Sequence, residues 1–169
     1  MSNLNHFVVM GVTACGKSTI AALLAEHLGA TLIEADELHS EANIEKMRRG
    51  EALSDDDRWP WLNRVANTMQ ACNTGVVVSC SALRRAYRDK LLNNTGAPIG
   101  FVHLNASHAV IASRMSNREN HFMPVGLLDS QLALLEPLEY DENGVVIDID
   151  QTIADVVSEA IEFVTKQHR

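Results

Sequence analysis

The chain has 169 residues, 46% of them hydrophobic and 21% charged, and its formal net charge at pH 7 is −8. This length and composition predict one soluble domain, 1–169, with a sizeable core. The acidic balance argues against nonspecific binding to nucleic acid, whose phosphates require a basic surface, and no run reaches the roughly 18 apolar residues of a membrane span.

Apolar runs alternate with segments of helical periodicity along the chain. Runs of strand character lie at 6–10, 31–36, 75–80, 99–104 and 145–149. Apolar residues at helical spacing predict helices after residue 17 and at 61–69, 82–93, 107–116, 125–135 and 153–164. Strands separated by helices predict an α/β fold, with a five-stranded parallel sheet and helices on both faces.

The segment 11–18 has the spacing G-x-x-x-x-G-K-[ST] and lies between the first predicted strand and the first predicted helix. In that context its backbone N–H groups converge on a polyphosphate at a helix N-terminus. Lys17 then reaches the β- and γ-phosphates, and the Ser18 hydroxyl holds Mg²⁺. The predicted nucleotide-binding residues of this phosphate loop are Gly11, Val12, Thr13, Ala14, Cys15, Gly16, Lys17, Ser18 and Thr19.

Groups that bind the phosphoryl acceptor are expected in loops at the carboxyl ends of the strands. After the second strand come Asp36, His39, Asn43 and Lys46. Asp36 can orient an acceptor hydroxyl and take its proton, although an N-cap role explains it equally well. The other three supply donors suited to a polyol or an anion.

Two further clusters carry arginines. In residues 55–58, helix capping is the simpler explanation for the three aspartates, whereas the planar Arg58 suits a substrate carboxylate. In the segment after the third strand, Ser81 is followed by Arg84 and Arg88, four residues apart on one predicted helix face. That pair can bind an anion or form an ordinary solvated surface.

A polar segment, 114–122, lies between two predicted helices and contains Arg114, Arg118 and His121. A lid needs such a segment, because it brings positive charge onto the transferred phosphate while excluding water. The alternative is an arginine-rich helix end at the surface.

Short motifs recur in a fixed order from the phosphate loop onwards, at 36–39, 43–47, 50–58, 60–62, 80–83, 87–89, 121–124 and 130–131. Through them nearly the whole chain resembles the gluconokinases of the small phosphate-loop (P-loop) kinase type, and the run 43–62 is the most specific. The resemblance implies the three-layer P-loop kinase fold with a small lid at about 114–124. It also implies ATP- and Mg²⁺-dependent phosphorylation of D-gluconate to 6-phospho-D-gluconate, and usually a homodimer.

This resemblance suggests a role for each candidate. Asp36, Lys17 and Arg118 are the expected catalytic residues, and Arg114 is expected to bind ATP. The expected substrate-binding residues are Asp36, His39, Asn43, Lys46, Arg58, Ser81, Arg84, Arg88 and His121. Among these, the three arginines are assigned to the gluconate carboxylate, and His39 and Asn43 to its hydroxyls.

Two positions depart from the family pattern. Ala14 stands where glycine is usual, and Ser40 where proline is usual. If Ala14 must adopt a positive φ, the cost is about 1 kcal/mol. Neither change removes a charged group, so activity is expected to survive.

The three cysteines are odd in number and lack metal-site spacing, which predicts reduced thiols and a cytoplasmic protein. Two other functions remain open from the sequence. One is a kinase for another small sugar acid or polyol, and the other is a nucleotide-binding regulator without catalytic activity.

Overall fold

A computed structural model of the chain describes residues 5–117 and 125–167. Its parallel strands form one sheet in the order β2-β3-β1-β4-β5. The strands are β1 His6–Met10, β2 Thr31–Glu34, β3 Val76–Ser79, β4 Ile99–Asn105 and β5 Gly144–Asp148. The predicted strands are confirmed, and β2 ends two residues before the predicted boundary.

The helices are α1 Lys17–Leu28, α2 Glu41–Arg48, α3 Asp55–Gln70, α4 Arg85–Thr95, α5 His108–Ser116, α6 Val125–Leu134 and α7 Ile153–Gln167. A short 3-10 helix, Ala35–Leu38, follows β2 and contains Asp36. None of the helices in the described ranges has the length and apolar character needed to cross a membrane.

The helices differ from the sequence-based prediction mainly at α2, α3 and α4. Helix α3 was predicted at 61–69 but begins at Asp55, after a capping box at Ser54. Helix α2 was not predicted, because its segment is mostly polar and its start depends on Ser40, whose side chain accepts a hydrogen bond from the Asn43 N–H. Helix α4 begins three residues late. The preceding Ala82 and Leu83 are buried in tight turns, with N–H groups donating to the carbonyls of Cys80 and Ser81.

Alternate side chains of β1 enter separate cores on the two faces of the sheet. Val8 and Met10 pack with Trp61 and the other buried residues of α3 and α4, whereas Phe7 and Val9 pack against α1 and α7. Because both faces are covered, the central strands are largely apolar, as expected of a parallel sheet, with His103 of β4 as a buried polar exception. Functional side chains are therefore concentrated at the strand ends.

The carboxyl ends of three neighbouring strands lie side by side. Val9 of β1 and Glu34 of β2 are both in register with Ser79 of β3. The phosphate loop, the 3-10 helix and the Ser81 turn therefore leave the sheet at the same edge. The fold thus brings together groups that are far apart in the sequence.

Candidate active site

The phosphate loop has the tight backbone that its glycines predict. A Cβ on Gly11 would lie 2.6 Å from the Leu104 carbonyl oxygen and 2.7 Å from the Cys15 Sγ, so a side chain is excluded there. Gly16 has φ 90° and Ala14 has φ 61°, both left-handed. Ala14 therefore adopts the positive φ whose cost the sequence analysis considered, about 1 kcal/mol for a residue that carries a Cβ.

Lys17 and Ser18 begin α1 beside the strand ends. The Lys17 ammonium donates to the Val12 carbonyl oxygen at 2.9 Å, across the loop. The Ser18 hydroxyl donates to Glu34 Oε2 at 3.0 Å and lies 3.5 Å from the Ser79 Oγ. Loop, lysine and hydroxyl therefore have the arrangement that a nucleotide polyphosphate requires.

A cavity of about 320 Å³ borders this loop on the side of α5 and α7. It is lined by Ala14, Cys15, Gly16 and Thr19 of the predicted nucleotide set and by Arg114, together with apolar residues of the β5–α7 region. The Arg114 guanidinium donates to the Ile149 carbonyl oxygen at 2.6 Å. Arg114 therefore lines the cavity that borders the phosphate loop. Arg118, His121 and the rest of the predicted lid beyond 117 lie outside the described residues.

A second cavity, of about 310 Å³, lies next to Thr13 and Lys17. We call it the acceptor cavity. Its lining includes four of the predicted substrate-binding residues, Asp36, His39, Arg58 and Ser81. The predicted base, the phosphate-loop lysine and a buried arginine therefore face one space.

His39 is held against an aromatic ring in the wall of the acceptor cavity. Its imidazole stacks on Trp61 with ring centroids 4.2 Å apart, and Asn43 Nδ2 lies 3.2 Å from its Nδ1. Burial is the main cause that lowers the pKa of His39 to about 4, and the charges of Arg58 and Arg64 lower it further, against the opposing charge of Asp36. At neutral pH the ring is therefore uncharged. Nδ1 accepts the hydrogen bond from the Asn43 amide, which leaves the Nε2–H as the donor for a hydroxyl group.

We expect the His39 ring to titrate near pH 4, well below the ordinary histidine value of 6.5. The unfolded chain takes up this proton first as the pH falls, so His39 should reduce stability between about pH 6.5 and pH 4. Carbon-13 NMR of labelled histidines, with a His39→Gln variant for assignment, measures the midpoint. A midpoint near 6.5 would show that the ring is solvated and not buried on Trp61.

Arg58 is a buried cation of an unusual kind. Its side chain is only 7% exposed, donates to the Leu53 carbonyl and lies 5.5 Å from the centre of the Tyr87 ring. It forms no ion pair with any carboxylate in the part of the chain that the structure describes. Because buried charges are normally paired, an unpaired guanidinium at a cavity wall indicates an anionic ligand.

Arg84 and Arg88 do not share this environment. Arg84 precedes α4 in an extended conformation and pairs with Asp55 at 2.5 Å and with Glu136 at 3.3 Å. Arg88 is 0% exposed and binds both carboxylate oxygens of Glu142, at 2.6 and 2.9 Å. Arg84 is the residue before α4, so the two arginines do not both belong to that helix. Neither lines the acceptor cavity, and intramolecular carboxylates pair with both guanidiniums, so their assignment to the substrate carboxylate stays a prediction.

Asn43 and Lys46 also serve the scaffold. Asn43 is buried and donates to the Asp57 backbone carbonyl at 3.0 Å, and the Lys46 ammonium pairs with Asp57 Oδ2 at 2.8 Å. The Lys46 bond and the Ser54 N–H lower the pKa of Asp57 to about 2. Asp57 also completes a capping box with Ser54, which supports the capping explanation of this acidic cluster. Asn43 and Lys46 thus connect α2 to the start of α3, and neither lines the acceptor cavity.

Several residues that line the acceptor cavity were not predicted as site residues from the sequence. Gln131 of α6 accepts a hydrogen bond from the Thr13 backbone N–H at 2.7 Å, and its neighbour Ser130 also faces the cavity. Arg48, at the end of α2, contributes a further cation. The motif 130–131 was the only sequence indication of the first two residues, and it gave them no role.

Comparison with known proteins shows which family the chain resembles. Residues 7–138 match a family model described as an AAA domain. The thermoresistant gluconokinase of Escherichia coli K12 is 41% identical, over 98% of this chain and 99% of that protein. The gluconokinase of Gluconobacter oxydans is 46% identical, over 80% and 77% of the two chains.

A solved structure agrees with these sequence relatives. The crystal structure of a gluconokinase from Sinorhizobium meliloti 1021 has a TM-score of 0.90 at 42% identity, covering 99% of this chain and 95% of that one. The phosphate loop, the parallel sheet and these relatives lead to the same assignment. The chain is a kinase of the P-loop fold and belongs to the gluconokinase family.

Proposed function

We propose that this protein transfers the γ-phosphoryl group of ATP to D-gluconate and yields 6-phospho-D-gluconate. The observation that carries the proposal is the unpaired, buried Arg58 in the same cavity as Asp36 and Lys17. A sugar acid has a group for each of these residues, a carboxylate that can bind the Arg58 guanidinium and a hydroxyl that can bind Asp36. The gluconokinase relatives support the identity of that acid.

The proposed mechanism assigns one task to each lining group. Arg58 binds the carboxylate, while the neutral His39 and Ser81 contact hydroxyl groups. Asp36 orients the terminal hydroxyl and accepts its proton, and Lys17 stabilises the negative charge of the transferred group. Because the transition state of phosphoryl transfer is loose, positioning and electrostatics supply most of the acceleration.

Mg²⁺ is part of this proposal, since it neutralises charge on the β- and γ-phosphates. The Ser18 hydroxyl and the oxygen atoms around it are ligands of the type that Mg²⁺ prefers. We also propose a lid at about 114–124, which includes Arg118 and His121. A homodimer and a cytoplasmic location are two further proposals. These rest on the family resemblance.

The function is tested by a coupled assay of ADP release with gluconate, other aldonates, glucose, shikimate and nucleoside monophosphates as acceptors. Gluconate should give the highest kcat/KM, and the neutral sugar glucose should be a very poor substrate. Preference for another aldonate or for an uncharged polyol would support the alternative kinase. ATP binding without turnover on any acceptor would support the nucleotide-binding regulator.

Replacement of Arg58 by glutamine should weaken gluconate selectively. A charge-assisted hydrogen bond contributes roughly 1.5–3 kcal/mol, so kcat/KM for gluconate should fall about 10- to 150-fold. The KM for ATP should change little, and the residual rate on glucose should not fall in proportion.

The matched control is Arg49→Gln, which removes the same charge from an exposed residue outside the cavity lining. It should leave gluconate kinetics unchanged. If Arg58→Gln keeps the parental kcat/KM for gluconate, the carboxylate is bound elsewhere, and Arg48 is the next cation of the lining to test.

A further inference from the structure

The Ser18 hydroxyl has a carboxylate partner that the sequence analysis did not single out. Glu34, the last residue of β2, accepts its hydrogen bond at 3.0 Å through Oε2. The Ser79 hydroxyl, at the end of β3, lies 3.5 Å from the same Oγ. Three oxygen-bearing side chains from α1, β2 and β3 therefore meet beside the phosphate loop.

The strand next to β1 lacks the acid that usually serves this site. In many P-loop NTPases Mg²⁺ is held by the Ser or Thr of the loop together with a Walker B aspartate. Here the strand between β2 and β1 is β3, which ends at Ser79 and is followed by Cys80, so it provides no carboxylate at that point. Glu34 is paired in register with Ser79, so the carboxylate comes from one strand further along the sheet.

Glu34 also has the surroundings of a metal-binding carboxylate. Within the described ranges it forms no ion pair with a lysine or arginine, and its one side-chain hydrogen bond is to Ser18. Neighbouring ligands of an octahedral Mg²⁺, each at 2.0–2.1 Å, are about 2.9 Å apart. The observed separation of 3.0 Å between the Ser18 and Glu34 oxygens agrees with that spacing.

Asp36 is the other acid near the phosphate loop, and it has a different position. It lines the acceptor cavity and makes no hydrogen bond to Ser18, whereas Glu34 is absent from the lining of that cavity. The two carboxylates that flank Ala35 therefore face different parts of the site. This separation leaves Asp36 for the acceptor hydroxyl and Glu34 for the cation.

We propose that Glu34 supplies the carboxylate of the magnesium site, together with the Ser18 hydroxyl and the nucleotide phosphates. This inference rests on the nucleotide-binding part of the proposed function and does not depend on the identity of the acceptor. The last residue of β2, Glu34, would then bind the cation, and Asp36 of the 3-10 helix that follows would bind the acceptor hydroxyl.

The test uses Mn²⁺ as a probe and the nearly isosteric variant Glu34→Gln. Electron paramagnetic resonance of free Mn²⁺ measures its affinity for the complex of the full-length protein with ADP. Binding should weaken roughly 10- to 100-fold in the variant. ADP affinity in the presence of a chelator, measured by calorimetry, should stay at the parental value.

The matched control is Glu37→Gln, which removes the same charge from the 3-10 helix that follows β2. It should keep the parental Mn²⁺ affinity. A second variant, Glu34→Asp, retains a carboxylate and should bind Mn²⁺ more tightly than Glu34→Gln, and circular dichroism verifies that each protein is folded.

Parental Mn²⁺ affinity in Glu34→Gln, or equal weakening in Glu34→Gln and Glu34→Asp, would overturn the proposal. Equal weakening in Glu34→Gln and Glu37→Gln would also overturn it, because the effect would then be one of general charge. No acceptor is present in these measurements. A failure of the gluconate assignment would therefore leave this result unaffected.

Discussion

Replacement of Asp36 by asparagine should reduce turnover by roughly 10²- to 10⁴-fold, the usual contribution of a positioned general base. Asparagine has nearly the same shape but cannot accept the hydroxyl proton. ATP binding should be retained, because Asp36 lies in the acceptor cavity while the phosphate loop is formed by separate residues. Steady-state kinetics gives the loss in kcat, and calorimetry gives the affinity for a nonhydrolysable ATP analogue.

Glu37→Gln provides the control for this experiment as well. It removes a negative charge from the next residue of the same 3-10 helix, and Glu37 is not part of the cavity lining. Its turnover should be parental. Near-normal turnover in Asp36→Asn would exclude Asp36 as the base and leave it a positioning role.

The elements that build the nucleotide site were predictable because their signals are local. The phosphate loop is a continuous spacing, 11–18, and β3 is a short β-branched run between polar residues. The usual glycine at position 14 raised the question of a positive φ there, and Ala14 has φ 61°. Local propensity and short-range spacing were sufficient for these features.

The orientation of the arginines was not predictable. Arg58 and Arg88 are both buried, but one faces a cavity and the other a carboxylate. The partner of Arg88 is Glu142, 54 residues away in the sequence. The Thr13 N–H likewise meets Gln131 across 118 residues. No spacing rule contains such pairings, because they depend on how α4, α6 and the segment before β5 pack together.

Replacement of Arg88 by methionine should destabilise the protein strongly instead of weakening substrate binding. The bidentate bond to Glu142 is buried, with the two side chains 0% and 2% exposed. Removing one partner of a buried ion pair leaves an uncompensated charge and costs about 3–5 kcal/mol. Urea unfolding should show a lower midpoint with an unchanged m-value.

The stability lost on replacement of Arg88 should be largest at neutral pH and smaller at acidic pH. Burial tends to raise the pKa of Glu142, but hydrogen bonds from Arg88 and the Glu139 N–H, together with the charges of Arg88 and Arg85, lower it below the ordinary 4.5. Its contribution to stability is therefore present above pH 4.5 and is lost as the pH falls through the lowered value. Without Arg88, burial favours the protonated acid. The difference in unfolding free energy between parent and Arg88→Met should therefore shrink from pH 7 towards pH 4.

A double-mutant cycle with Glu142→Gln separates the pair from its surroundings. The double variant Arg88→Met/Glu142→Gln should recover part of the stability lost in Arg88→Met, because it no longer buries a carboxylate that has lost its bidentate partner and keeps only the more distant Arg85. Its KM for gluconate should equal that of the parent. A stable Arg88→Met protein with a raised KM for gluconate would instead indicate that Arg88 binds the substrate.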